Sequence, residues 1–179
     1  MEQSYLEDLM ILKSERLILK RPEIEDVDEI LKIHNSEYVQ RYNAMKLYRR
    51  EDMLKDIIDD CKNTYYLQLP DSKRIIGAVF VGQDQLRYQV KAVCLSYYLD
   101  KNYQGQGYMY EALKLIIKEL FEQGIEVISA RVFVDNTASK KLLIKLGFVL
   151  EGHLRRAVKG FQGIIYDDLL FSLLNDDNS

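Results

Sequence analysis

Leu99-Asp100-Lys101-Asn102-Tyr103-Gln104-Gly105-Gln106-Gly107-Tyr108-Met109-Tyr110-Glu111-Ala112 joins a β-rich run at 90–99 to the clearest amphipathic pattern in the chain. Leu113, Ile116, Ile117, Leu120 and Phe121 recur at helical spacing, and Gly124 stands where a C-terminal cap belongs. A strand, a turn with two glycines and a helix start together make an anion site. The first amides of the helix have no acceptor within it, the helix dipole is positive there, and glycine lets a phosphate approach the backbone. The stretch therefore points to a ligand that carries a diphosphate.

Two common nucleotide loops do not fit. A dinucleotide fingerprint needs glycine or alanine at position 110, where Tyr110 stands, and an acid about 20 residues on; Asp135 lies further away. A P-loop needs Gly-Lys-Ser/Thr after four intervening residues, and the chain has none.

Outward from this stretch, alternation around Leu17 and Leu19 reads as a strand over 15–20. Pro22 opens a helix with Ile24, Val27, Ile30, Leu31 and Ile33 on its apolar positions. A second helix covers 50–61, with Met53, Leu54, Ile57 and Ile58 on one side. Strands at 64–69 and 75–81 meet across Pro70-Asp71-Ser72-Lys73, and 90–99 is the third of that run. Ile128, Ala130, Val132 and Val134 alternate as a strand. Asn136 caps a helix that ends at Gly147, and strands follow at 148–154 and 164–173. The tail from Asn175 is polar and reads as frayed. The order β-α-α-β-β-β-α-β-α-β-β predicts an α/β (α+β) domain over 1–179, with its core at about 15–174. Its sheet is mixed and mostly antiparallel, with helices on both faces.

The 179 residues carry 25 basic and 28 acidic side chains, a net charge of −3, which leaves no basic footprint for nucleic acid. No apolar run approaches the ~18 residues of a membrane span, so no membrane partner is expected. Met1-Glu2-Gln3-Ser4 is too polar for a signal peptide. Cys61 and Cys94 lack metal-type spacing and read as reduced core residues of a cytoplasmic protein, with no metal site.

Leu99 through Gly107 resembles the acyl-CoA signature of the GNAT N-acetyltransferases: an aliphatic residue, variable positions, then Gln-Gly-x-Gly. Asn136-Thr137-Ala138-Ser139, followed by Lys145-Leu146-Gly147-Phe148-Val149-Leu150-Glu151-Gly152, is similar to the second CoA segment of that family. The wording Gly-Tyr-Met-Tyr-Glu-Ala-Leu and Gly-Phe-x-x-Glu-Gly is that of the branch containing ribosomal-protein N-terminal acetyltransferases and spermidine acetyltransferases. The resemblance covers about 15–174.

The resemblance implies the GNAT fold and an acetyl-CoA-dependent N-acetyltransferase acting on a primary amine, a protein N-terminus or a small molecule. A polyamine acetyltransferase or a non-catalytic acyl-CoA-binding module is the alternative, and a homodimer is allowed. By the same resemblance, the amides of Gln104, Gly105, Gln106, Gly107, Tyr108 and Met109 wrap the CoA pyrophosphate. Backbone groups of Tyr97, Tyr98 and Leu99, splayed at a bulge, pair with the pantetheine arm. Asn136 binds that arm through its side-chain amide, a role that competes with plain helix capping.

Many members of the family carry a tyrosine that protonates the leaving thiolate, where this chain has Leu143. The branch resemblance moves that role to Ser139. The base candidates are His34, Glu37 and Asp168, of which Asp168 stands among alternating apolar residues in the last strand, where an acid is costly unless paired. Asp167 and Asp168 must point to opposite faces. Both His34 and His153 also suit a structural role, and the helix dipole alone accounts for Glu111 in the first turn. At pH 7 an α-amine is roughly 15–20% neutral against about 0.04% for a lysine, so an N-terminal amine asks less of a base. The helices over 23–61, with His34, Glu37, Tyr38, Arg41, Tyr42 and Asn43, are expected to line the acceptor side.

Overall fold

The structure is a computed structural model that describes residues 11–44, 46–160 and 163–178; the four N-terminal residues read above against a signal peptide lie outside them. The chain falls into two compact units, one holding residues 11–80 and 97–116 and the other 81–96 and 117–178 among those described. Among the described residues an eight-stranded sheet runs in the order β1 (Leu12–Lys13), β2 (Ile18–Lys20), β3 (Thr64–Gln68), β4 (Ile75–Gln83), β5 (Ala92–Leu99), β6 (Val127–Phe133), β8 (Ile165–Leu174) and β7 (Val149–Lys159).

In the first unit, β1 (Leu12–Lys13), β2 (Ile18–Lys20), β3 (Thr64–Gln68) and the start of β4 (Ile75–Gln83) pair antiparallel. The Pro70 turn closes β3 onto β4, with Lys73 N–H donating to Leu69 O and Leu69 N–H to Arg74 O. The helix that Pro22 opens begins as a 3-10 turn (Ile24–Asp26), where Asp26 accepts from the Glu23 N–H at 3.0 Å, and continues as α1 (Val27–His34). A one-turn helix, α2 (Glu37–Gln40), follows, and then α3 (Arg50–Asp60). Neither β1 nor α2 is visible in the periodicity, because each is too short to complete a period.

Val27, Ile30, Ile33, Met53 and Ile57 bury against Tyr66, Ile75 and Ala78. Each such side chain contributes about 1.5–3 kcal/mol of transfer free energy, which outweighs the weak intrinsic preference of β-branched residues for helix. Two expected core residues are not there: Ile24 is 55% exposed and Ile58 is 65% exposed. Ile24 lies in the 3-10 turn, where the helical period has not begun. Ile58 follows Ile57 directly, about 100° round the helix, and only Ile57 reaches the core.

β5 (Ala92–Leu99), which leaves the second unit after residue 96, pairs in parallel with β6 (Val127–Phe133) over residues 92–95, and α4 (Tyr108–Glu122) lies between them in the chain. After α5 (Thr137–Lys145), β7 (Val149–Lys159) and β8 (Ile165–Leu174) form an antiparallel pair, and β8 also borders β6. Gly124 and Gly147 end α4 and α5 at φ of +83° and +92°, left-handed values that favour glycine. Cys61 and Cys94 are free thiols, and both are only partly buried rather than core. The polar tail is docked where it starts: Asn175–Asn178 form a 3-10 turn and Asn175 N–H donates to Glu126 O at 3.1 Å. No helix among the described residues is long and apolar enough to cross a membrane.

Candidate functional site

The anion cradle lies wholly within the first unit. After Leu99, Asp100 N–H donates to Ile76 O at 2.8 Å, while its carboxylate accepts from Asn102 N–H and caps a 3-10 turn (Lys101–Tyr103). Gln104 and Gln106 brace the loop from within: their side-chain amides donate to Leu99 O at 3.2 Å and Asn102 O at 3.0 Å. Gly105 and Gly107 adopt φ of +72° and +83°. A Cβ at Gly105 would meet nothing within 4 Å. The loop thus presents open space at the backbone, held by short-range hydrogen bonds rather than by bulk.

The first bond of α4 runs from Glu111 N–H to Gly107 O, so the amides of Gly107, Tyr108 and Met109 have no acceptor within the helix. Gln104 differs. Its N–H donates to Lys101 O at 3.3 Å, so the run of amides expected to wrap a diphosphate begins at Gly105.

The parallel ladder between β5 and β6 ends at Leu95↔Ala130, although β5 continues to Leu99. Tyr97, Tyr98 and Leu99 therefore lie beyond the last paired residue on that edge. On that side the strand parts from its neighbour where the pairing ends, with no register shift among the four pairs that precede it. On the β4 side the approach is close: a Cβ on Gly77 would be 2.5 Å from Tyr98 O.

One contact in this unit escaped the sequence reading. Arg16, just before β2, binds Glu111 in the first turn of α4 through Nε at 2.8 Å and holds Gln106 O through Nη1 at 3.1 Å. Glu111 is thus more than a dipole partner. Burial alone would raise its carboxyl, but the Ser14 hydroxyl and Arg16 outweigh that and hold it below the usual range. No local pattern signals a pair separated by 95 positions.

His34 is a base candidate that also suits a structural role, and its surroundings are those of the second. It is buried, tilted against Tyr48 at 4.3 Å between ring centres. Asn35 exchanges hydrogen bonds with the Tyr48 backbone, which fixes its amide so that Oδ1 faces His34 Nδ1 at 3.0 Å; Nδ1 is therefore the protonated nitrogen. Nε2 faces Asn43 Nδ2 at 3.4 Å. Burial pushes the imidazole below its usual value against the pull of Asn35 and Asp56. A neutral histidine with both nitrogens engaged has a structural role here, while Glu37 is exposed at the start of α2.

In the second unit, Asn136 Oδ1 accepts from Ser139 N–H at 3.2 Å and caps α5. The cap uses the amide oxygen only, so its NH₂ end remains chemically suited to a ligand carbonyl; capping and ligand binding are compatible rather than alternatives. Ser139 contributes its backbone to the cap, and its hydroxyl is separate from it. Leu143 is fully buried in the α5 core contact and has no proton to give.

Asp168 on β8 pairs in register with Phe133, and its carboxylate receives Arg131 Nη2 at 2.7 Å. The other oxygen, Oδ1, is buried without a hydrogen-bond partner. Burial raises the Asp168 carboxyl above the usual aspartate value, and Arg131 only partly offsets it. Asp167 points the other way, taking His153 Nε2 at 2.8 Å and Arg156 N–H at 2.6 Å, which gives His153 a surface role. No cluster of three or more metal-ligating side chains occurs among the described residues.

Residues 16–149 match the family model described as an acetyltransferase (GNAT) domain. The probable N-acetyltransferase YjcK of Bacillus subtilis (strain 168) is 27% identical over 94% of this chain and 99% of that protein. An acetyltransferase (GNAT family) structure from Bacillus anthracis superposes with a TM-score of 0.84 at 19% identity, covering 93% of this chain and 99% of that one. RimL, a ribosomal L7/L12 α-N-protein acetyltransferase solved in complex with coenzyme A, superposes at 0.79 with 20% identity over 93% and 98% of the two chains.

Proposed function

Because the chain belongs to the GNAT acetyltransferase family, we propose that it moves the acetyl group of acetyl-CoA to a primary amine by direct attack in a ternary complex. The observation that carries this reading is the loop at Gly105–Gly107. Its two left-handed glycines and the following orphan amides of α4 suit a diphosphate, and coenzyme A bears one.

The amine nitrogen attacks the thioester carbonyl carbon, and collapse of the tetrahedral adduct breaks the C–S bond. Coenzyme A leaves as thiol once its sulfur takes a proton, and the new amide nitrogen sheds one. Ser139 is the proton donor to sulfur and Asp168 the proton acceptor from the amine. The unpartnered, buried Oδ1 of Asp168 and its raised proton affinity support the second role. The backbone beyond the end of the β5–β6 ladder, at Tyr97–Leu99, supplies amides for the pantetheine arm and for the oxyanion. Cys61 and Cys94 fall in neither CoA segment, so an acyl-cysteine is not part of the scheme.

The acceptor class we favour is a protein N-terminus. The low pKa of an α-amine reduces the work asked of one carboxylate, and RimL, with the same fold, is an α-N-protein acetyltransferase. Polyamines are the second reading. A thiol-release screen with acetyl-CoA across N-terminal peptides, polyamines, amino acids and aminoglycosides tests both. Release stimulated by peptides carrying a free α-amine, and lowered at least tenfold in Ser139→Ala, is the expected result. Release with no peptide but with spermidine transfers the assignment to polyamines. Unchanged turnover in Ser139→Ala removes that hydroxyl from the mechanism.

A further inference from the structure

The reaction scheme makes no use of the best-organised charge cluster in the first unit. Arg16 Nε and Nη2 both bind Glu111 Oε2, at 2.8 and 2.5 Å, and Nη1 donates to Gln106 O at 3.1 Å. Its guanidinium also lies 4.7 Å from the centre of the Tyr108 ring. The second oxygen of Glu111 accepts from the Ser14 hydroxyl, and the same hydroxyl oxygen accepts from Leu17 N–H at 3.0 Å, at the start of β2. The arginine is thus fixed on three sides, by a carboxylate, a carbonyl and an aromatic face.

An ion pair as exposed as this one adds little to global stability. What it determines is orientation. In a trans peptide the carbonyl and the following N–H point to opposite sides. An arginine that holds Gln106 O from one side therefore turns the Gly107 N–H, across the same peptide, to the side away from its guanidinium. A carboxylate in the first turn would also repel an incoming diphosphate, and the arginine, with two N–H groups on one carboxylate oxygen, offsets that charge.

We propose that Arg16 is a positioning residue for the donor: anchored on Glu111, its planar fork sets the Gln106–Gly107 peptide so that the Gly107 amide faces the diphosphate of coenzyme A. The inference rests on the reading of this loop as the diphosphate site.

Calorimetric Kd values for coenzyme A and for pantetheine, which lacks the diphosphate, separate the two. Wild type is expected to prefer coenzyme A strongly. Arg16→Ala is expected to weaken coenzyme A roughly tenfold, equivalent to about 1.4 kcal/mol, and to leave pantetheine within twofold. Arg16→Lys keeps the charge and loses the fork, so it is expected to fall between the two and not to match wild type. If wild type itself binds both ligands equally, the loop reading fails. If wild type prefers coenzyme A and Arg16→Ala keeps that preference, or weakens both ligands alike, the positioning role is overturned while the loop reading stands. Should Arg16→Ala fail to fold, Arg16→Lys decides: a wild-type ratio of the two Kd values overturns the proposal.

Discussion

Replacing Gly105 by alanine separates what the loop does for the fold from what it does for the ligand. The backbone there has φ +72°, which an L side chain adopts at a cost of about 1–2 kcal/mol. The new methyl meets no protein atom within 4 Å, so no clash adds to this strain. Reduced freedom of the unfolded chain returns about 0.4–1 kcal/mol. The net loss is about 1 kcal/mol, or roughly 2–4 °C in Tm for a chain of this size.

With coenzyme A at 100 times the wild-type Kd, wild type gains about 2.7 kcal/mol, a rise of roughly 5–11 °C. The alanine methyl occupies the space assigned to the diphosphate. A tenfold loss of affinity halves the gain at the same concentration, to about 1.4 kcal/mol. Gly163→Ala is the matched control, because Gly163 has φ +81° and equally open space but belongs to the second unit. Differential scanning fluorimetry with and without ligand is sufficient. Both variants lose a few degrees unliganded, and only in Gly105→Ala is the ligand shift cut to about half. A full wild-type shift in Gly105→Ala refutes the reasoning.

Gly77→Ala places a Cβ 2.5 Å from Tyr98 O and 3.2 Å from Leu99 Cα, backbone that cannot swing aside. Overpacking of this kind costs about 1–3 kcal/mol, so a Tm fall of roughly 2–12 °C is expected, and an unchanged Tm contradicts the contact. His34 is lowered by burial, so its stabilising neutrality is complete above the ordinary histidine value near 6.5 and is lost as pH falls toward the lowered one. Urea denaturation at pH 7.5 and 5.5 should show a stability drop in wild type that shrinks in His34→Gln; equal slopes would rule out the burial argument. Asp168 is raised by burial, so its contribution to stability is full below the ordinary aspartate value and declines as pH rises through the raised one. As a base it must be ionised, so kcat should fall on the acid side at a pH above the usual aspartate range, and Asp168→Asn should abolish that limb. A pH profile with the same limb in Asp168→Asn assigns it to another group.

Sequence alone was enough to read those parts of the molecule where one short segment carries its own signal. Gly105, Gly107, Gly124 and Gly147 all mark left-handed turns at the expected element ends, and Asn136 caps α5 as its spacing indicates. Long-range partners are different in kind. Nothing near Ser14 or Arg16 encodes their meeting with Glu111, and nothing near His34 encodes the Asn35–Tyr48 exchange that fixes its tautomer. Ile24 and Ile58 are apolar yet exposed, Ile24 because a 3-10 turn precedes the helical period and Ile58 because periodicity describes a face and not its width. The amide of Gln104 belongs to a preceding 3-10 turn that is too short to register in any period.

Hydrogen exchange with and without coenzyme A tests the central assignment most directly. Saturating ligand should slow exchange at the amides of Gly105, Gln106, Gly107, Tyr108 and Met109, and leave Gln104, already donating to Lys101 O, much less changed. Binding that protects other segments while these amides exchange as before would contradict the placement of the donor on this loop.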